Sequence, residues 1–210
     1  MKKFPYKNLP EFKIFKKYNT PSKIQDFLDT IPINFELGGE TYRRPLHTIR
    51  HNKAHCMEGA LLAASMLWYH GYEPLLLDLR TSKDEPDDHV IAVFKQKGYW
   101  GAISKTNHNV LRYRDPVYKS VRELVMSYFN EYFANNRKKS LRGYSKPFSL
   151  LKYPDTWLID KKHAQDIVND LDNSPHYKVV SKHMLKSLRP IDKLEFINSK
   201  PVEWKRPKRK

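Results

Sequence analysis

The chain has 210 residues and a single cysteine, Cys56. One cysteine forms no internal disulfide, so a disulfide framework is excluded and any chemistry at Cys56 is that of a free thiol. Glycine is scarce, at 7 residues against 14 prolines. No Gly-rich phosphate loop occurs and no segment repeats at a fixed period, which leaves neither a phosphate-cradling motif nor a repeat architecture. No stretch approaches the roughly 20 apolar residues that a membrane span needs. Met1-Lys2-Lys3 runs into Phe4-Pro5-Tyr6-Lys7-Asn8 without the apolar segment of a signal peptide. The expected setting is a reducing cytoplasm, where a free thiol persists.

What is present is positive charge and enough apolar surface for a core. The 39 Lys and Arg against 23 Asp and Glu give a net charge of +16, a surplus that favours an anionic partner such as nucleic acid, acidic lipid or acidic protein. The competing reading is a Lys-rich, well-solvated surface. Basic residues are spread along the chain, and the dense run Lys205-Arg206-Pro207-Lys208-Arg209-Lys210 reads as a solvated tail. Apolar residues make up 40 %, sufficient for one substantial domain at this length.

The patterning predicts an α+β protein. Residues 1–50 read as a mixed basic and aromatic arm followed by a short helix, with Thr20-Pro21 as N-cap and first helical residue, or Ser22 to Gln25 as a capping box, and with Ile24, Phe27, Leu28 and Ile31 on one face. Residues 33–51 look irregular, broken at Arg43-Arg44-Pro45. From about Lys53 to His70, the residues Met57, Ala60, Leu61, Ala64, Leu67 and Trp68 repeat at helical spacing, Ala63 and Met66 widen the apolar surface, and Gly71 closes the helix. Pro74 to Leu79, His89 to Phe94 and Tyr99 to Ser104 read as strands, the last two joined by a turn at Gln96-Lys97-Gly98. Residues 51–115 thus form the core, an antiparallel sheet packed on the Cys56 helix. Residues 116–200 are expected to be a helical extension of the same domain: one helix from Pro116 to about Asn135, a basic loop over 136–156, a shorter helix from Asp160 to Leu171, and an ambiguous stretch over 176–198 in which Tyr177 to Val180 suggests a strand. Residues 201–210 are the basic tail.

Cys56 stands where the central helix begins, and His89 opens a strand 33 residues later. A thiol at a helix N-terminus feels the positive end of the macrodipole, which favours thiolate. An imidazole beside it completes a nucleophile–base pair. The polar flank of His55 and Glu58 sets Cys56 apart from an ordinary buried cysteine, which acts as a small hydrophobe. A histidine at a strand start can equally be a capping residue.

The run from Cys56-Met57-Glu58-Gly59-Ala60 through Trp68-Tyr69-His70-Gly71 resembles the transglutaminase-like superfamily of papain-type cysteine enzymes, whose central helix starts with the cysteine. Asp88-His89-Val90-Ile91-Ala92-Val93 is similar to the family's histidine strand, and Gly98-Tyr99-Trp100-Gly101-Ala102-Ile103 to the strand that follows it. The likeness covers roughly residues 52–115. It implies a papain-like fold with Cys56 as nucleophile and His89 as its base, acyl transfer or amide hydrolysis on a protein or peptide substrate, and no cofactor. One departure stands out. Aligned on Trp100, the position of the family's aspartate holds Ser104, 15 residues after His89. Ser104 can accept a hydrogen bond but brings no negative charge. Asn107 is the best local substitute, since papain-like enzymes use an asparagine in this role; Asp115 and Asp88 are less well placed. The rival expectation is a protein of the same fold that no longer catalyses and holds an anionic partner on its basic surface.

Two groups of side chains have the residue types of metal ligands. His47, His51 and His55 fall four residues apart upstream of Cys56, but Pro45 and the expected loop interrupt a continuous face, and neither Cys-x-x-Cys nor His-Glu-x-x-His accompanies them. Asp84, Glu85, Asp87 and Asp88 could attract a cation, although acidic loops are usually solvated. No metal is expected. Trp157 and Trp204 are read as packing anchors.

Overall fold

Thr20, in extended conformation, accepts a hydrogen bond from the Lys23 N–H, and Pro21 supplies the first helical residue of α1 (Pro21–Thr30). A computed structural model describes residues 2–83 and 88–207. In it α1 buries Ile24, Phe27 and Leu28, as its periodicity predicts, together with the polar Gln25. The N-terminal arm forms a 3-10 turn over Pro10–Lys16 and packs Phe4 edge-on to Phe12, Phe15, Trp68 and Tyr69, and Phe15 edge-on to Tyr69. Residues 33–51 are less irregular than expected: α2 spans Pro45–His51. Proline at the first helical position has no hydrogen bond to lose, so Pro45 opens a helix rather than breaking one. Asn52, left-handed at φ 48°, ends it.

The central helix, α3 (Cys56–Tyr69), is buried at every residue from Met57 to Trp68. Gly71, at φ 92°, turns the chain back. There follow β1 (Leu75–Thr81), β2 (His89–Gln96) and β3 (Tyr99–Ile103), antiparallel throughout, with Leu77 opposite Ile91 and Ala92 opposite Ile103. Lys97 and Gly98 both have positive φ, the geometry of a two-residue hairpin turn whose twist matches the strands.

Beyond residue 113 the expectation of a helical extension is corrected. Residues 114–118 form β4 (Arg114–Tyr118), a strand at the sheet edge, where the missing N–H of Pro116 does no harm. The expected helix from Pro116 to Asn135 is only α4 (Val121–Tyr128), started by the Ser120 cap. The segment expected as a loop carries β5 (Leu141–Ser145) and β6 (Phe148–Ser149), both paired with β1. The next helix, α5 (Gln165–Asp172), buries Ile167 and Leu171, and β7 (His176–Lys178) pairs with β5. Short α6 (Lys182–Ser187) and α7 (Lys193–Asn198) complete the chain.

The result is an α+β fold with a seven-stranded antiparallel sheet in the order β4-β3-β2-β1-β5-β7, with β6 also on β1. Both faces are covered. Leu76, Ala92, Phe94 and Ile103 meet α3, α1 and the aromatic arm, whereas Leu75, Leu77, Leu79, Ile91 and Val93 meet Leu124, Val125 and Tyr128 of α4. Among the described residues, no helix is long and apolar enough to cross a membrane. Because β1 runs back from the C-terminal end of α3 and β2 returns, the start of β2 and the end of β3 lie at the end of the sheet where α3 begins.

Candidate active site

Ala54 leads into α3 beside the chain that leaves α1: its N–H donates to Pro32 O, and its carbonyl accepts from Asn34 N–H. This pairing fixes the approach to the helix. His55 is the N-cap. Its Nδ1 accepts from the Met57 N–H at 3.3 Å, and its own N–H donates to Glu58 Oε2 at 3.2 Å, a reciprocal cap that consumes free donors of the first turn. Cys56 is then the first helical residue and is half-buried, not sealed in hydrocarbon.

His55 and His89 both act on the Cys56 thiol. Burial pushes that thiol up, but hydrogen bonds from His55 and His89, with the positive charge both rings can carry, outweigh it and bring it down to about 5. The His55 Nδ1 lies 4.0 Å from Sγ. For His55, burial acts to lower the pKa; the contact with Cys56, the negative charges of Cys56 and Glu58 and the Thr41 carbonyl prevail, raising it to about 9.

The other nitrogen of His89, Nε2, lies 2.8 Å from Ser104 Oγ. Ser104 gives its own proton to Leu111 O at 2.5 Å. Its oxygen is therefore the acceptor for His89, which places hydrogen on Nε2 and leaves Nδ1 without one in the neutral ring. Gln25 of α1 holds Ser104 from both sides, accepting from its N–H and donating to its carbonyl, each at 2.9 Å. His89 and Ser104 are both buried.

Asn107 does not reach this group. Its Nδ2 donates to Trp204 O at 3.0 Å and its Oδ1 accepts from Trp204 N–H at 2.8 Å, so the amide ties down the C-terminal segment. Of the two candidates for orienting His89, Ser104 is the one in contact. Asp115 is exposed on β4, and Asp88 accepts from the N–H and hydroxyl of Thr81. His47 and His51 lie on α2 with their rings on the carbonyls of Ile159 and His47. Among the described residues no group of three His, Cys, Asp or Glu side chains could hold a metal ion. Asp84, Glu85 and Asp87 lie outside the described residues.

Three supporting residues carry little signal in the sequence. Glu58 is fully buried, and its carboxylate accepts from five donors: Thr41 Oγ1, the N–H and Nη1 of Arg43, Asn34 Nδ2 and the His55 N–H. Its place three residues after the helix cap is the one hint of this role. Lys105 is buried against Gly59 of α3 and donates to the carbonyls of Leu28 and Ile31 at the end of α1. Gln25 has no pattern to betray it.

No protein-family model matches the chain, and a search of curated proteins finds no relative.

Proposed function

We propose that the chain is a cysteine-dependent acyl-transfer enzyme of the transglutaminase-like, papain-type class, with Cys56 as nucleophile. The observation that carries this reading is the meeting of two imidazoles on one half-buried thiol in the first turn of a buried helix. The Cys56 thiolate adds to an amide or thioester carbonyl. The N–H at the start of α3 faces the oxygen that becomes negative, where the helix macrodipole also acts favourably. The proton that left Cys56, held on an imidazole Nδ1 beside the sulfur, passes to the departing amine or thiol as the carbon–heteroatom bond breaks, leaving an acyl group on sulfur. The unprotonated Nδ1 of His89 then takes a proton from an incoming water or amine, which attacks the thioester and releases the Cys56 thiolate. Ser104 keeps the ring in the tautomer this needs. A protein or peptide acyl donor suits this chemistry.

The test is intact-mass measurement after exposure to an activated thioester of a short peptide. One acyl adduct per chain is expected, absent in Cys56→Ser. In His89→Ala the release of acyl groups should slow by about a hundredfold or more. Wild-type protein that takes up no acyl group, or takes it up equally without Cys56, overturns the reading.

A second reading is favoured by the net charge of +16 and by the neutral Ser104 in the aspartate's place: a protein of this fold that binds an anionic partner without catalysis. It predicts retention on heparin with a steep salt dependence, and no acyl adduct.

A further inference from the structure

His89 and His55 both act on Cys56 but differ in what stands behind them. Behind His89 is a hydroxyl without charge, whose oxygen accepts from Nε2. Behind His55, among the described residues, stand acceptors, two of them anionic: Nε2 meets the Thr41 carbonyl, Glu36 Oε1 at 3.6 Å and Glu58 Oε2 at 3.8 Å. Nε2 of His55 therefore keeps its hydrogen, and Nδ1 is the position whose protonation varies. Unprotonated, Nδ1 accepts from the Met57 N–H and caps α3; protonated, it becomes a donor aimed at Sγ.

We propose that His55, rather than His89, takes the proton that Cys56 gives up, so that the resting site is a Cys56 thiolate beside a His55 imidazolium with His89 left neutral. This rests on the reading of Cys56 as the nucleophile. The step is one proton transfer: the S–H bond breaks, an Nδ1–H bond forms, sulfur becomes negative and the ring positive. The new cation is met by the thiolate and by Glu36 and Glu58, the latter shared with the Arg43 guanidinium at 3.0 Å, with the Tyr42 ring edge-on at 5.7 Å. The site's stabilising negative charge lies at the helix cap, and not behind the strand histidine where the Cys-His-Asp pattern puts it. As the thiolate is consumed, the His55 Nδ1 proton passes to the departing group, and neutral His89 then takes the proton of the acyl acceptor at Nδ1, a task for which the neutral Ser104 suffices. His55 is thus a catalytic residue in contact with the reacting sulfur.

The test compares the pH dependence of Cys56 alkylation by iodoacetamide in wild type, His55→Asn and His89→Asn. Asparagine is a good N-cap, so His55→Asn preserves the start of α3. The acid limb is expected to move up by about one pH unit or more in His55→Asn, a roughly five- to tenfold slower reaction near pH 5, and by clearly less in His89→Asn. As an independent readout, NMR titration of the His55 ring should show its midpoint falling in Cys56→Ser, since the coupling is reciprocal; this decides the matter if His55→Asn fails to fold. An acid limb that stays in place in His55→Asn, or one carried entirely by His89, overturns the proposal, as does a His55 titration indifferent to Cys56→Ser. Failure of the enzyme reading looks different: the proton linkage persists, but no acyl group is transferred.

Discussion

His89 Nε2 and Ser104 Oγ are 2.8 Å apart, and the serine proton is committed to the Leu111 carbonyl. A hydroxyl whose only hydrogen is spent elsewhere is an acceptor, so the pair orients the imidazole without charging it. Leu111 itself stands at φ 60°, an uncommon conformation for leucine, with its N–H on Glu131 Oε2 at 2.8 Å and that carboxylate paired with Arg114. The acceptor for Ser104 is therefore held in place by its own network. Ser104→Ala should cut acyl turnover by about tenfold or more through loss of the ring's orientation, while alkylation of Cys56 at neutral pH changes little. Steady-state turnover and alkylation rates on the same samples check this.

Glu58→Gln should destabilise the fold by about 2–4 kcal/mol. The amide presents donors where Arg43 and Asn34 already donate, and it leaves the Arg43 guanidinium without its anion. Denaturant unfolding of wild type and variant measures the difference.

Gly59→Ala should also be destabilising, by about 1–3 kcal/mol, although alanine favours helices. A Cβ built on Gly59 comes within 2.4 Å of Lys105 Cβ and 2.9 Å of its Cγ, and Lys105 is fixed by the end of α1. Thermal unfolding with a gain in stability would show that Lys105 can yield.

Asp78, buried on β1 against His176 at 2.8 Å, is held above the ordinary carboxylate range by burial, which outweighs the hydrogen bond from His176. The folded state then binds the Asp78 proton more tightly than the unfolded chain does. This residue's contribution to stability is greatest below the unfolded value of about 4 and falls as pH rises through the raised one. In Asp78→Asn that slope should flatten, as read from unfolding free energies across the acidic range.

Much of this architecture is legible in the residue pattern. The apolar spacing of Met57 to Trp68, the Thr20-Pro21 start and the Lys97-Gly98 turn each have a local physical cause, and each element forms where that cause places it. The C-terminal half is less legible because its strands are defined by partners far away in sequence. Leu141 to Ser145 mixes arginine, glycine and serine, and its strand character comes from pairing with β1 and β7. Pro116 misleads for a related reason: it reads as a helix start until the sheet edge beside β3 claims it. At the site, the positions of Cys56 and His89 at an element start can be read directly. The choice of Ser104 over Asn107 cannot, because it depends on where residues 203–204 dock against Asn107. Gln25 and the two acidic neighbours of His55 come together only through the packing of α1 and the following loop on α3.

The most direct test of the account is the pH dependence of Cys56 alkylation in the unmodified chain. An imidazole-supported thiolate at the start of α3 predicts half-maximal reactivity near pH 5, with a plateau through neutrality. A rate that keeps rising through neutrality toward the ordinary cysteine value of about 8.5 would mean that the thiol is unperturbed, and would contradict the account.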